Sequence, residues 1–344
     1  MIVGLPRRDY DVMRRWAWVI TISTVAGALY GARIGGVLIG AATGGLTGGL
    51  LSFLEIFVFG GWARRALSSL PFAVYFALRV VIYVTTIVAV DLAVTGLAGR
   101  NSITDNLARG DFGFSIVMSV GANLLFGVNN LLGPGVLFAF VAGRYRRPRR
   151  EVRVLLYIDL CGSTTLTEKL GEMKFMDLLN AFFADVTGEI VAEGGEIHKY
   201  VGDEVIAVWR AGTDPARPIR ACLAARRRIA RRTAYYLSAF GVTPDFRAAI
   251  HEGAVVIGEL GEQKKEIALI GDAMNTAARI LEAARETGAA VLISAPFYAS
   301  MRAPPAGLSI RRLAPVALRG KSAPLELISL AEQGDALPEA IGPI

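Results

Sequence analysis

The chain has 344 residues, 53% of them hydrophobic and only 19% charged, with a mean hydropathy of +0.46. That composition excludes a disordered polymer, a disulfide scaffold and a single soluble domain. A formal charge of +7 and a pI near 9.6 raise nucleic acid as a partner, and the distribution of that charge decides against it.

Residues 1–150 hold 15 Arg, no Lys and 6 acids, a net +9, whereas residues 151–344 hold 22 basic and 24 acidic side chains, a net −2. The basicity belongs to the apolar half, where arginine orients membrane segments, so no nucleic-acid partner is expected. Apolar runs at 16–32, 35–61, 70–97 and 114–142 predict four transmembrane helices, an all-α membrane bundle over residues 1–143. Arg7, Arg8, Arg14 and Arg15 precede the first run, Arg64 and Arg65 separate the second from the third, and Arg144, Arg146, Arg147, Arg149 and Arg150 follow the fourth. Those clusters share one side only if the number of spans is even. The positive-inside tendency then gives a multi-pass protein of the plasma (inner) membrane with both termini cytoplasmic. No cleaved signal peptide is expected. Gly36, Gly40, Gly44 and Gly48 recur every four residues and predict a close-packing face within the bundle or across a dimer. Glu55, Arg79 and Asp91 are ionisable groups inside apolar runs, and Arg79 is placed to reach Glu55 as a structural clasp.

Residues 144–151 form a basic linker with Pro148, held near anionic headgroups. The catalytic segment is expected at 152–330, with a tail at 331–344. Cys161 and Cys222 fit no metal spacing and suggest a reducing compartment. Residues 152–159 read as a strand ending in Asp159, followed by the small-residue turn Gly162-Ser163-Thr164 and a helix over 166–193. A carboxylate at a strand end beside a helix N-terminus suits a metal and the phosphates it carries. Two β runs flank Gly202-Asp203, a hairpin that would bring Asp203 forward to share a metal with Asp159.

Two aspartates 44 residues apart prove little alone. Their surroundings say more: Tyr157-Ile-Asp-Leu-Cys-Gly-Ser-Thr164, Lys199-Tyr-Val-Gly-Asp-Glu204, Ile250-His-Glu-Gly-Ala-Val-Val-Ile-Gly258, Ile270-Gly-Asp-Ala-Met-Asn-Thr-Ala-Ala-Arg279 and Leu318-Arg-Gly-Lys321 follow in order. Over roughly residues 150–330 the chain resembles the class III adenylyl cyclases in these five motifs. The resemblance implies an α/β, ferredoxin-like domain with a mainly antiparallel sheet that converts ATP to 3′,5′-cyclic AMP and pyrophosphate. It also implies a homodimer in which the metal carboxylates of one chain face Lys199, Asn275 and Arg279 of the other.

Residue by residue, Asp159 and Asp203 match the carboxylates that hold two Mg²⁺ or Mn²⁺ ions, with Ile158 contributing backbone only. Gly162, Ser163 and Thr164 would present N–H groups to phosphate. Asn275 and Arg279, one helical turn apart, match the pair that positions the ribose and stabilises charge on the reacting phosphate. Lys199 matches the adenine-reading lysine and Lys321 a triphosphate contact. One position departs from the pattern: Ala268 stands where the family has an Asp or Thr as the second base-reading side chain, which opens guanylate or mixed specificity. A diguanylate cyclase is disfavoured because Val201 and Val205 interrupt its Gly-Gly-Asp-Glu-Phe hairpin. A noncatalytic receptor is disfavoured because both aspartates and the Asn/Arg pair are present. Ordinary structural roles are expected for His198 and His251, a helix N-cap for Asp272, and a solvated face for Arg217, Arg220, Arg226, Arg227, Arg228, Arg231 and Arg232, with lipid contact as the alternative.

Overall fold

The computed structural model describes residues 7–33, 36–62, 67, 70–97, 117, 120, 121, 124, 143, 145, 147–263, 265–315 and 324–332. The chain divides into two compact units, Met1–Leu137 and Phe138–Ile344.

In the first unit, α1 spans Arg7–Arg33, α2 Val37–Phe53 and α3 Phe72–Leu97, and a π-helical segment, Leu54–Trp62, continues α2. Among the described residues, two helices are long and apolar enough to cross a membrane, Val37–Phe59 and Ala73–Leu97. The apolar part of α1, Val19–Ala32, is shorter, because polar residues occupy its first turns. The fourth expected span, 114–142, lies almost wholly outside the described residues. The glycine face of α2 packs within the chain, against α1. A Cβ on Gly44 would meet the Ser23 carbonyl, and one on Gly40 would stand 2.8 Å from the Gly31 Cα. Gly27 and Gly31 of α1 complete the contact, so side chains are absent from both helices where the backbones meet. Arg79 pairs with Glu55, as helical spacing predicts, and Tyr83 completes the clasp. The tyrosine hydroxyl donates to Glu55 and accepts from Arg79 Nη2 at 2.9 Å, while the guanidinium lies 5.0 Å from the Phe59 ring centroid. Charge inside an apolar helix pair is thus paired and covered by aromatic rings.

The second unit is α/β. Its elements are β1 (Arg149–Leu160), α4 (Ser163–Leu170), α5 (Glu172–Ala192), β2 (Glu196–Val201), β3 (Glu204–Arg210), α6 (Ala216–Arg231), α7 (Thr233–Phe240), β4 (Phe246–Leu260), β5 (Glu266–Ile270), α8 (Asp272–Thr287), β6 (Val291–Ser294), α9 (Ala295–Ala299), β7 (Leu308–Arg312) and β8 (Leu327–Glu332). The sheet runs β2-β3-β1-β4-β6-β8-β7, with β5 paired to β4. Among the described residues, only β4 and β6 pair in parallel. The first half is therefore a split βαββαβ arrangement, with β1 and β4 central.

Strand alternation sorts the core. Leu156, Ile158, Val205 and Trp209 face α5 and α6 on one side, and Leu155, Tyr157, Ile206 and Val208 face α8 on the other. The helix expected over 166–193 is two helices, because Gly171 at φ +76° ends α4 and begins α5. The arginines of α6, with Arg232 just after it, correct the solvated-face expectation in part: Arg227 and Arg231 are exposed, and the others are half-buried. Arg228 and Arg232 bind the fully buried Asp185 of α5, Arg220 pairs with Glu193 and Asp214, Arg226 with Asp245, and Arg227 with Glu332. These side chains fasten α6 and α7 to the rest of the unit.

Candidate active site

The site begins at the end of β1. Asp159 lies opposite Glu204 of β3 and Arg247 of β4, so one face of the sheet gathers two carboxylates and a guanidinium on adjacent strands. The Asp159 side chain is only 7% exposed and is held by Arg285 of α8: Nε donates to Oδ2 at 3.0 Å, and Nη2 lies 2.8 Å from Oδ1. Burial raises the Asp159 pKa above the ordinary carboxylate value. Arg285 opposes that shift and the Asp203 charge adds to it. Glu204 is pushed up to about 7, first by burial and then by the Asp159 charge. Gly202, at φ +61°, makes the tight β2–β3 turn that places Asp203 beside this pair. The buried Asp159 thus feels the charges of the half-buried Asp203 and Glu204, an arrangement that favours a cation nearby.

Among the described residues, no three His, Cys, Asp or Glu side chains form a protein-only metal cage. Mg²⁺ does not require one, since it is bound through one or two carboxylates together with waters and substrate phosphates. Asp159 and Asp203 are the carboxylates that could supply that donor set, and the guanidinium on Asp159 marks where positive charge is already accepted. Ile158 is fully buried with its side chain on the opposite face, leaving only its main chain available at this strand end.

Beyond Asp159 the chain turns at Gly162, φ +68°, into α4. The cap is glycine and the first turn carries no acid, so no side chain of that turn occupies the place of an anion. The first-turn N–H groups, including those of Ser163 and Thr164, have no acceptor within the helix and face outward along its axis.

The remaining candidates stand elsewhere. Lys199 follows a bulge in β2, and its Nζ is 3.5 Å from Glu266 Oε1 of β5. Asn275 is exposed on α8, and Arg279, one turn on, reaches both Glu282 oxygens at 2.9 and 2.7 Å. Among the described residues, no hydrogen bond or ion pair joins Lys199, Asn275 or Arg279 to Asp159 or Asp203 within one chain. Lys321, with Leu318 and Arg319, lies outside the described residues. A cavity of about 350 Å³ between β4, β5 and the start of α8 contains none of these side chains.

Asp272 is the first residue of α8 rather than its cap, which is Gly271. His251 Nδ1 is 2.9 Å from Ser294 Oγ, and burial lowers the pKa of the partly covered His198. Sequence reasoning missed Arg247, Arg285 and Glu266. Arg247 left a signal, a charge within an otherwise apolar start of β4. Arg285 left none, since a basic residue in the last turn of a helix is ordinary.

Residues 145–328, more than half of the chain, match the family described as the adenylate and guanylate cyclase catalytic domain. Adenylate cyclase 2 of Rhizobium meliloti (strain 1021) is 35% identical over 221 residues, covering 62% of this chain and 60% of that protein. An uncharacterised protein of Mycobacterium tuberculosis (strain CDC 1551 / Oshkosh) is 34% identical over 179 residues, 51% of this chain and 31% of that one. The chain therefore spans less than two thirds of the length of these relatives. Among solved structures, a bacterial light-regulated adenylyl cyclase superposes with a TM-score of 0.57 at 20% identity, over 65% of this chain and 66% of that one, a likeness of fold. The motifs, the split βαββαβ sheet and the family match agree: the chain belongs to the class III adenylyl and guanylyl cyclase family.

Proposed function

We propose that this chain is a membrane-anchored adenylate cyclase that works as a homodimer with two Mg²⁺ or Mn²⁺ ions in each site. The observation that carries the reading is the buried Asp159 with Asp203 at its side, in a chain that also keeps Asn275 and Arg279 on one turn of α8. Asp159 and Asp203, with the Ile158 main chain, would hold the ions, which when bound lower the pKa of the ribose 3′-hydroxyl and neutralise the triphosphate. Gly162, Ser163 and Thr164 direct N–H groups at the phosphates. Asn275 orients the ribose and Arg279 stabilises charge on the α-phosphoryl group. Lys199 donates to the adenine ring and Lys321 contacts the triphosphate. The 3′-oxygen bonds to the α-phosphorus as its proton passes to solvent water, and the bond from the α-phosphorus to the α,β-bridging oxygen breaks to release pyrophosphate. No covalent enzyme intermediate is involved.

In one chain Arg279 pairs with Glu282 and stands apart from the carboxylates, which supports a site completed by a second copy. The arginine clusters support a cytoplasmic catalytic unit, and the four-span bundle remains part of this reading. Ala268 favours a second reading, in which GTP is also used. Product analysis with ATP and GTP, each with Mn²⁺, tests both. Cyclic AMP from ATP, abolished by Asp203→Ala, is the expected result, and no cyclic product or an undiminished one from the variant overturns the proposal.

A further inference from the structure

We propose that Glu266 is the second base-reading side chain, supplying from β5 the carboxylate that Ala268 does not. The inference rests on the cyclase reading and specifies its purine pocket. β5 is a regular strand paired to β4, with Glu266 opposite Leu260 and Ala268 opposite Gly258. Residues two apart on a strand share a face, at a spacing of about 6.6 Å. Glutamate carries one more methylene than the aspartate found at the Ala268 position in the family, which extends its reach from the neighbouring site. Its Oε1 lies 3.5 Å from Lys199 Nζ, while the two side chains are 46% and 50% exposed. An exposed pair of that kind contributes little to stability. What it does is set a donor and an acceptor side by side, open to an incoming ring.

Adenine presents a matching edge, with N1 as acceptor beside the 6-amino donor. Lys199 donates to N1 and Glu266 accepts from the amino group. Guanine in the same pose sets N1–H against the ammonium and O6 against the carboxylate, so both contacts turn repulsive. Sites built around such hydrogen bonds discriminate far better than apolar pockets do. Glu266 therefore restores the ATP preference that Ala268 alone would relax.

The test compares kcat/KM for ATP, GTP and purine riboside triphosphate, which lacks the 6-amino group, on the full chain in detergent. Wild type is expected to favour ATP over the deamino analogue at least about tenfold, and Glu266→Ala to lose most of that preference and to narrow the ATP/GTP ratio by a similar factor. Ala268→Asp in the Glu266→Ala background should restore both ratios, which a merely structural role would not allow. Unchanged ratios in Glu266→Ala overturn the inference. A wild-type chain that makes no cyclic product overturns the enzymatic reading instead. Displacement of a fluorescent nucleotide by ATP and by the deamino analogue then reads Glu266 by the same ratios.

Discussion

Arg285 occupies the carboxylate to which the proposal assigns a metal ion, so cation binding must release it. The pair comprises two contacts, at 3.0 and 2.8 Å, to a carboxylate that is 7% exposed. A hydrogen bond to a charged group is worth roughly 1.5–3 kcal/mol when sheltered. Arg285 itself is 48% exposed, and water recovers part of what its release costs, leaving about 2 kcal/mol for the pair. At 1.4 kcal/mol per tenfold, Arg285→Ala should tighten Mn²⁺ binding about 30-fold in the absence of nucleotide. Arg285→Lys, which keeps the charge but loses the fork, should fall between. The assay is titration of the full chain in micelles at pH 8, with free Mn²⁺ followed by electron paramagnetic resonance. An affinity unchanged or weakened in Arg285→Ala would refute the assignment of Asp159 as the carboxylate contested by guanidinium and metal.

Two further predictions concern the scaffold. Asp185 is fully buried; burial raises its pKa, but the donors Arg228, Tyr236 and Arg232 more than offset that and hold it below the ordinary carboxylate value. Its stabilisation is therefore present above that ordinary value, near 4, and is lost as pH falls below it. Asp185→Asn should cost roughly 2–4 kcal/mol at pH 7 and up to about 1 kcal/mol less at pH 3, read as the thermal midpoint of the full chain at each pH. In the first unit, Gly44→Leu drives a side chain into the Ser23 backbone and should destabilise the α1–α2 pair by about 1–3 kcal/mol. Gly49→Ala, where Ile20 Cδ1 stands 3.7 Å from the new Cβ, should be tolerated. Proteolytic sensitivity of the two variants in micelles separates them, and equal sensitivity would count against the glycine seam.

The strand bearing Asp159 and the turn bearing Asp203 were legible because β runs bounded by Gly and Asp carry their own turn chemistry, and the structure places Gly202 at φ +61° at the β2–β3 turn. The Glu55–Arg79 clasp was legible because charge in an apolar helix needs a partner. Tyr83, which bridges it, was not, since tyrosine is common in such helices. Long-range pairings left the weakest traces. Arg285 meets Asp159 across 126 residues and Lys199 meets Glu266 across 67, and no local periodicity encodes contacts made only when the sheet is assembled. The arginines of α6 misled for the same reason: spacing shows that they share a helix, while their partners in α5, just before β4 and in β8 are set by tertiary packing.

The most direct test of a site shared between two chains is complementation. Asp203→Ala and Arg279→Ala chains, each expected to be inactive alone, are co-expressed in equal amounts and assayed for cyclic AMP from ATP. Random pairing makes half of the dimers mixed, each with one site built wholly from intact residues, so the account predicts about a quarter of wild-type activity. Activity no higher than that of either variant alone would contradict it.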